Sequence, residues 1–163
     1  LPKPERLQGV DLRPTLGADG RAVRGELFSE VTWHAAYEPM RCIRTGRWNY
    51  IRRFGSRRAP VVPNCDQSTS QDVLRAAGGE DRPHASEQLH DLVLDPQERH
   101  NLVGDQRCEH IRTDLAARLE RWMRETDDPL LANQDLPLPP GCWAVHPDAP
   151  APDGSPRLSG SQR

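Results

Sequence analysis

Apolar and polar positions alternate along Glu26–Trp33, placing Leu27, Ser29, Val31 and Trp33 on one side, and this period of two predicts a strand. The alternation resumes at Met40–Thr45, where Met40, Cys42 and, less regularly, Ile43 are set against Arg41 and Arg44. After Gly46-Arg47 it continues through Trp48–Phe54. A glycine between two runs of β-branched and aromatic residues permits a tight turn, so three neighbouring antiparallel strands are expected. A fourth short strand is predicted over Gln88–Leu94, stopped by Asp95-Pro96, because proline cannot continue the ladder and aspartate favours the turn.

From about Asp105 to Thr126 the spacing changes to three and four. Cys108, Ile111, Leu115, Leu119, Trp122 and Met123 form one face, and Arg112, Asp114, Arg118, Glu120, Arg121 and Arg124 the other. This predicts an amphipathic helix capped by Asp105 and ended by Asp128-Pro129, packed on one face of the sheet. The expected fold class is therefore α+β, a small antiparallel sheet of about four strands against a C-terminal helix, with long irregular loops. Residues 1–24 are a loop-rich lead-in with about one helical turn near Pro14-Thr15-Leu16, and residues 25–129 are the folded unit. Residues 130–163 form a proline-rich tail, pinned by Trp143 and expected to be disordered beyond Pro147. Between Gly55 and Glu87 one short helix is predicted, Ser70–Ala77, stopped by Gly78-Gly79.

Composition narrows the picture. Only 35% of the 163 residues are hydrophobic and 16 are proline, which leaves a small core, or a piece whose other side is supplied elsewhere. A net charge of −2 gives no bulk electrostatic case for a nucleic-acid or membrane partner, and no stretch approaches the roughly 20 apolar residues of a membrane span. Cys42, Cys65, Cys108 and Cys142 contain no CxxC pair, so no zinc site is expected; the expectation is mostly free or buried thiols, with disulfides of unassigned pairing the alternative in an oxidising compartment. The chain opens at Leu1 with no signal-peptide pattern, and its natural N-terminus is expected to lie further upstream.

Four segments resemble the C-terminal subdomain of sulfatases, with the heparan N-sulfatase (N-sulfoglucosamine sulfohydrolase, sulfamidase) branch the nearest fit. LQGVDLRPTL at Leu7–Leu16 is similar to the family's Gly-x-Ser-Leu-x-Pro-x-Leu, with Asp11 where serine is usual. EVTWHAAYEPMRCIRTGRWNYIRRF at Glu30–Phe54 is similar to its strand, loop and Pro-Met-Arg-x-x-Arg-Thr hairpin. LHDLVLDPQERHNLVGD at Leu89–Asp105 follows Leu-Tyr-Asp-Leu-x-x-Asp-Pro-x-Glu-x-x-Asn-Leu with His90 replacing tyrosine, and the ending WMRETDDP points to the N-sulfatase branch.

The resemblance implies a hydrolase of sulfated, glycosaminoglycan-like sugars whose formylglycine and calcium belong to a separate N-terminal catalytic domain. None of the four cysteines here is followed by x-Pro-Ser-Arg, so the chain alone is expected to be inert, with no catalytic residue and no cofactor of its own. Its expected partners are that catalytic domain and a sulfated sugar. The family is commonly exported, periplasmic or lysosomal. Candidate substrate-binding residues are His34 and Tyr37 in the loop after the first strand, Glu38, and Arg41, whose planar fork suits sulfate or carboxylate. The competing reading of His34 is a loop histidine satisfied by backbone, and that of Arg41 an ion pair with Glu30 or Glu38. The run Arg52, Arg53, Arg57 and Arg58 reads as a solvated edge or as a polyanion-docking patch. The alternative function is a non-catalytic binding module for sulfated glycans.

Overall fold

A computed structural model describes residues 4, 7, 9–17, 20, 22–151 and 153–160. Four strands, β1 (Glu26–Trp33), β2 (Tyr37–Thr45), β3 (Trp48–Arg53) and β4 (Glu87–Asp91), form one antiparallel sheet in the order β1-β2-β3-β4. Between β3 and β4 lies a short helix, α1 (Thr69–Ala76), whose N-terminus is capped by the Ser68 side chain accepting from the Gln71 N–H. After β4 comes the long helix α2 (Glu109–Glu125), preceded by a 3-10 turn at Gln106–Cys108. The fold is α+β, as the pattern predicted.

Register explains the core. Phe28, Ile43, Tyr50 and Leu89 are successive partners across all four strands and so make one apolar row on one face of the sheet. Leu115, Leu119 and Met123, one helical turn apart, cover that row, and Leu130 closes its end. Phe28 and Trp122 stack in parallel, ring centroids 4.9 Å apart. Two arginines tie the helix to both outer strands: Arg118 pairs with Glu26 on β1, and Arg112 with Glu87 on β4 at 2.8 Å.

This register corrects the phase expected for β1 and β2. The residues facing α2 are Phe28 and Ile43, not the Leu27/Val31/Trp33 and Met40/Cys42 sets. Arg41, expected on the polar side, lies on the core face and is 2% exposed. An arginine tolerates that position only because an acidic partner reaches it from beyond α2, as described below. β4 also stops earlier than Leu94, because the Asp91 carboxylate accepts the Val93 and Leu94 N–H groups and turns the chain out of the ladder.

The tail is more ordered than its composition suggested. β5 (Trp143–Val145) pairs antiparallel with β6 (Arg157–Ser159), so the chain beyond Pro147 includes a strand. The anchor is not Trp143, which is half exposed beneath Arg157, but its buried neighbours Ala144 and Val145. The Val145 N–H donates to the Ala35 carbonyl at 2.8 Å, joining the tail to the β1–β2 turn. The expected lead-in turn is a 3-10 segment at Arg13–Thr15. The remainder of the lead-in expectation falls partly on residues 1–3, 5, 6, 8, 18, 19 and 21, and that of the tail on 152 and 161–163, all outside the described residues.

Candidate functional site

At one end of the sheet a cleft of about 440 Å³ opens between the start of β2, the end of β3, and two later segments around His84 and Asn133–Asp135. Its position follows from local chemistry. The chain leaves α2 through Asp127, a non-glycine residue at φ 52°, and turns back across the sheet. Asp128 then caps a 3-10 turn, Pro129–Leu131, by accepting the Leu130 N–H. The segment that follows becomes one wall of the cleft.

Tyr37 fastens that wall. Its hydroxyl donates to the Gln134 carbonyl at 2.8 Å and accepts the Leu136 N–H at 2.9 Å. Both roles of the hydroxyl are thus occupied within the chain, and its ring packs against Trp33 at 4.6 Å. Tyr37 shapes the cleft.

Glu38 and Arg53 form the polar floor. The Arg53 Nη1 donates to Glu38 Oε1 at 2.8 Å, and the Asn64 Nδ2 donates to Glu38 Oε2 at 2.9 Å. Arg53 therefore spends one N–H of its guanidinium on Glu38, while its Nε is buried with no acceptor among the described residues. Such a group is under-satisfied, in contrast with most buried donors. Arg57, at the rim, is largely committed: it pairs with Asp148 at 2.7 Å and donates to the carbonyls of Ala59, Pro60 and Pro147. His84 faces Arg53 and Glu38. Burial first, and then the Arg53 charge, lower its pKa from the ordinary histidine value, while the Glu38 carboxylate opposes that shift.

The structure brings Tyr37 and Glu38 together in the cleft and leaves the other two predicted residues out of it. His34 is exposed on the β1–β2 turn, its backbone N–H donating to the Ala36 carbonyl at 3.2 Å. Arg41 is buried, and all five of its N–H donors are engaged inside the protein. Nε and Nη2 clasp Asp128 at 2.5 and 3.1 Å, Nη1 donates to the Val31 and Met40 carbonyls, and Nη2 also reaches the Thr32 hydroxyl. The acidic partner is thus Asp128, with the exposed Glu30 carboxylate more distant at 3.4 Å. Glu38 pairs with Arg53 instead. No pattern in the sequence marks His84, and the basic run reads as a solvated edge or a docking patch, whereas the Arg53 side chain is only 15% exposed.

No family model and no curated protein sequence matches the chain. Solved structures do. A 2-O GAG sulfatase superposes with a TM-score of 0.55 at 21% identity over 81% of this chain, and a putative sulfatase from Bacteroides thetaiotaomicron with 0.57 at 20% over 94%. This is the fold of the sulfatase C-terminal subdomain. The chain spans 23% and 29% of those two proteins, about a quarter of their length.

Within the sulfatase fold the motif-bearing segments acquire places. The Pro-Met-Arg hairpin is β2, the Leu-His-Asp-Leu segment is β4 and its closing turn, and the Thr-Asp-Asp-Pro ending is where α2 hands the chain to the cleft wall. Arg41 of the first and Asp128 of the last meet in the buried clasp. Among the described residues no three His, Cys, Asp or Glu side chains are grouped to hold a metal ion.

Proposed function

We propose that this chain is the C-terminal portion of a sulfatase acting on a sulfated sugar, and that it completes one side of the substrate pocket through the cleft at Glu38. The observation that carries the reading is the coincidence of two independent things in one place. The sulfatase fold and the family-like hairpin converge on a cleft whose floor is an acid–guanidinium pair, each Glu38 oxygen accepting one N–H and keeping a further lone pair. The resemblance of WMRETDDP carries the reading further, to an N-sulfoglucosamine sulfohydrolase-like activity. Formylglycine and calcium would then come from an N-terminal catalytic domain, and these residues would hold and orient the sugar while that domain attacks sulfur.

The test uses the polypeptide encoded by the whole reading frame that contains these residues. It is assayed for sulfate release from N-sulfated and 2-O-sulfated disaccharides, and the frame is read for Cys-x-Pro-Ser-Arg or Ser-x-Pro-Ser-Arg. Sulfate release that falls roughly tenfold or more in kcat/KM for Glu38→Gln, at an unchanged melting temperature, is the expected result. A frame without that motif, whose product releases no sulfate yet retains sulfated glycans, overturns the reading in favour of a binding module.

A further inference from the structure

The cleft at Glu38 is chemically unlike an anion site. Its lining carries two acids, Glu38 and Asp135, and two bases, Arg53 and Arg57, so their formal charges cancel. Each guanidinium is also held by a carboxylate within the chain, Arg53 by Glu38 at 2.8 Å and Arg57 by Asp148 at 2.7 Å. A sulfate approaching Arg53 meets the Glu38 carboxylate beside it, and its desolvation is repaid by no uncompensated positive charge. Of the arginine-rich run that suggests a polyanion patch in the sequence, Arg53 and Arg57 are paired with carboxylates, while Arg58 donates to the Gly55 and Arg57 carbonyls and Arg52 lies over the Phe54 ring, both outside the cleft lining.

What the cleft retains is paired hydrogen-bonding capacity of both kinds. Each Glu38 oxygen accepts one N–H and keeps a further lone pair, while Arg53 keeps unspent donors. The amide nitrogen of Gln134 has no partner among the described residues, because that side chain is held only through its oxygen, which accepts the Gly55 N–H at 3.1 Å. The His84 imidazole, whose protonated form burial disfavours, carries two ring nitrogens, one a donor and the other an acceptor in the neutral ring. Hydroxyl groups donate and accept at once, so neighbouring hydroxyls of a pyranose satisfy such an array, whereas sulfate only accepts. A volume near 440 Å³ falls within the roughly 300–1,000 Å³ range of clefts that hold small ligands.

From this geometry we infer that the cleft formed by Glu38, Arg53, His84 and Gln134 is a subsite for an uncharged, hydroxyl-bearing sugar unit adjoining the sulfated one, and that it reads hydroxyls and not sulfate. The inference rests on the sulfated-sugar reading above and assigns this cleft its share of the substrate.

The experiment titrates the isotope-labelled 163-residue chain with two probes, the neutral disaccharide chitobiose and a fully sulfated heparin disaccharide, while amide shifts are followed by NMR. The expected result is saturable shifts at His84 and at 133–135 with chitobiose, changing less than about twofold between about 20 mM and about 300 mM salt. Glu38→Gln and, independently, His84→Ala each weaken that binding about tenfold while the amide spectrum stays dispersed. A cleft that responds only to the heparin disaccharide, with affinity falling about tenfold over the same salt range, overturns the inference but leaves the sulfatase reading standing. A cleft that responds to neither probe also overturns it, and sulfate release by the product of the whole reading frame then decides the sulfatase reading separately.

Discussion

Arg41 on β2 and Asp128 beyond α2 stand 87 residues apart in sequence and share two hydrogen bonds in the interior. Their side chains are 3% and 2% exposed; the Arg41 charge is met by Asp128, by backbone carbonyls and by the more distant Glu30, and the Asp128 charge by Arg41 and the Leu130 N–H. Removing one partner strands a buried charge, which costs about 3–5 kcal/mol. Asp128→Ala is therefore expected to lower stability by about that amount in urea titration, since it also loses the cap on Leu130. Replacing both residues with apolar side chains, Arg41→Met with Asp128→Leu, is expected to recover most of the loss. A single variant as stable as the parent would mean that the clasp does not hold the fold.

Tyr37 makes a separate prediction. Tyr37→Phe keeps the ring packing on Trp33 but releases the Gln134 carbonyl and the Leu136 N–H. The expected cost is about 1 kcal/mol, with faster hydrogen exchange at the Leu136 amide and little change in α2. Exchange that accelerates equally everywhere would indicate a global role.

His84 should titrate below the ordinary histidine range, because burial and the Arg53 charge disfavour its protonated form. The sign follows directly. The unfolded chain takes up a proton near pH 6.5 and the folded chain only at lower pH, so this group withdraws stability as pH falls through that window. Glu38→Gln removes the one opposing charge and should lower the His84 pKa further, whereas Arg53→Gln should raise it. Imidazole carbon-bound proton shifts followed against pH distinguish the two directions.

The cysteines should differ sharply in reactivity. Burial, and then the nearby Glu98 charge, push the Cys42 thiol up to about 11, and its Sγ donates to Asn49 Oδ1 at 2.9 Å. At pH 8 only about a thousandth of it is thiolate. Cys65 and Cys142 are exposed. Iodoacetamide should label those two in the native chain and leave Cys42 to react only after denaturation, as peptide mass spectrometry would report.

Much of this architecture is legible in the sequence because it depends on local period. Strands β1 to β3, the turn at Gly46 and the amphipathic α2 follow from alternation and from three-and-four spacing. The phase of β2 does not, because Met40, Cys42 and Ile43 offer two faces of nearly equal hydrophobicity. The choice is made by Asp128, which is remote in sequence. The same holds for the cleft. Tyr37 and Glu38 lie on the hairpin that the family resemblance singles out, but His84 and Gln134 arrive from segments whose composition reads as loop and tail. Only tertiary contacts bring them to the Glu38–Arg53 pair. β5 and β6 were hidden for a related reason, since three-residue strands in a proline-rich tail carry too short a period to register.

The path of the chain after α2 has a practical consequence for anyone trimming this protein. A boundary at residue 129, where the family-like segments stop, would leave the sheet, the helix and the Arg41–Asp128 clasp in place but remove Leu130, which Asp128 caps and which closes the core row. It would cut away Gln134 and Leu136, the two groups that Tyr37 grips, and with them one bank of the Glu38 basin. Such a shortened protein would retain the sheet and its long helix with one core leucine missing, and the proposed sugar subsite would stand without a wall.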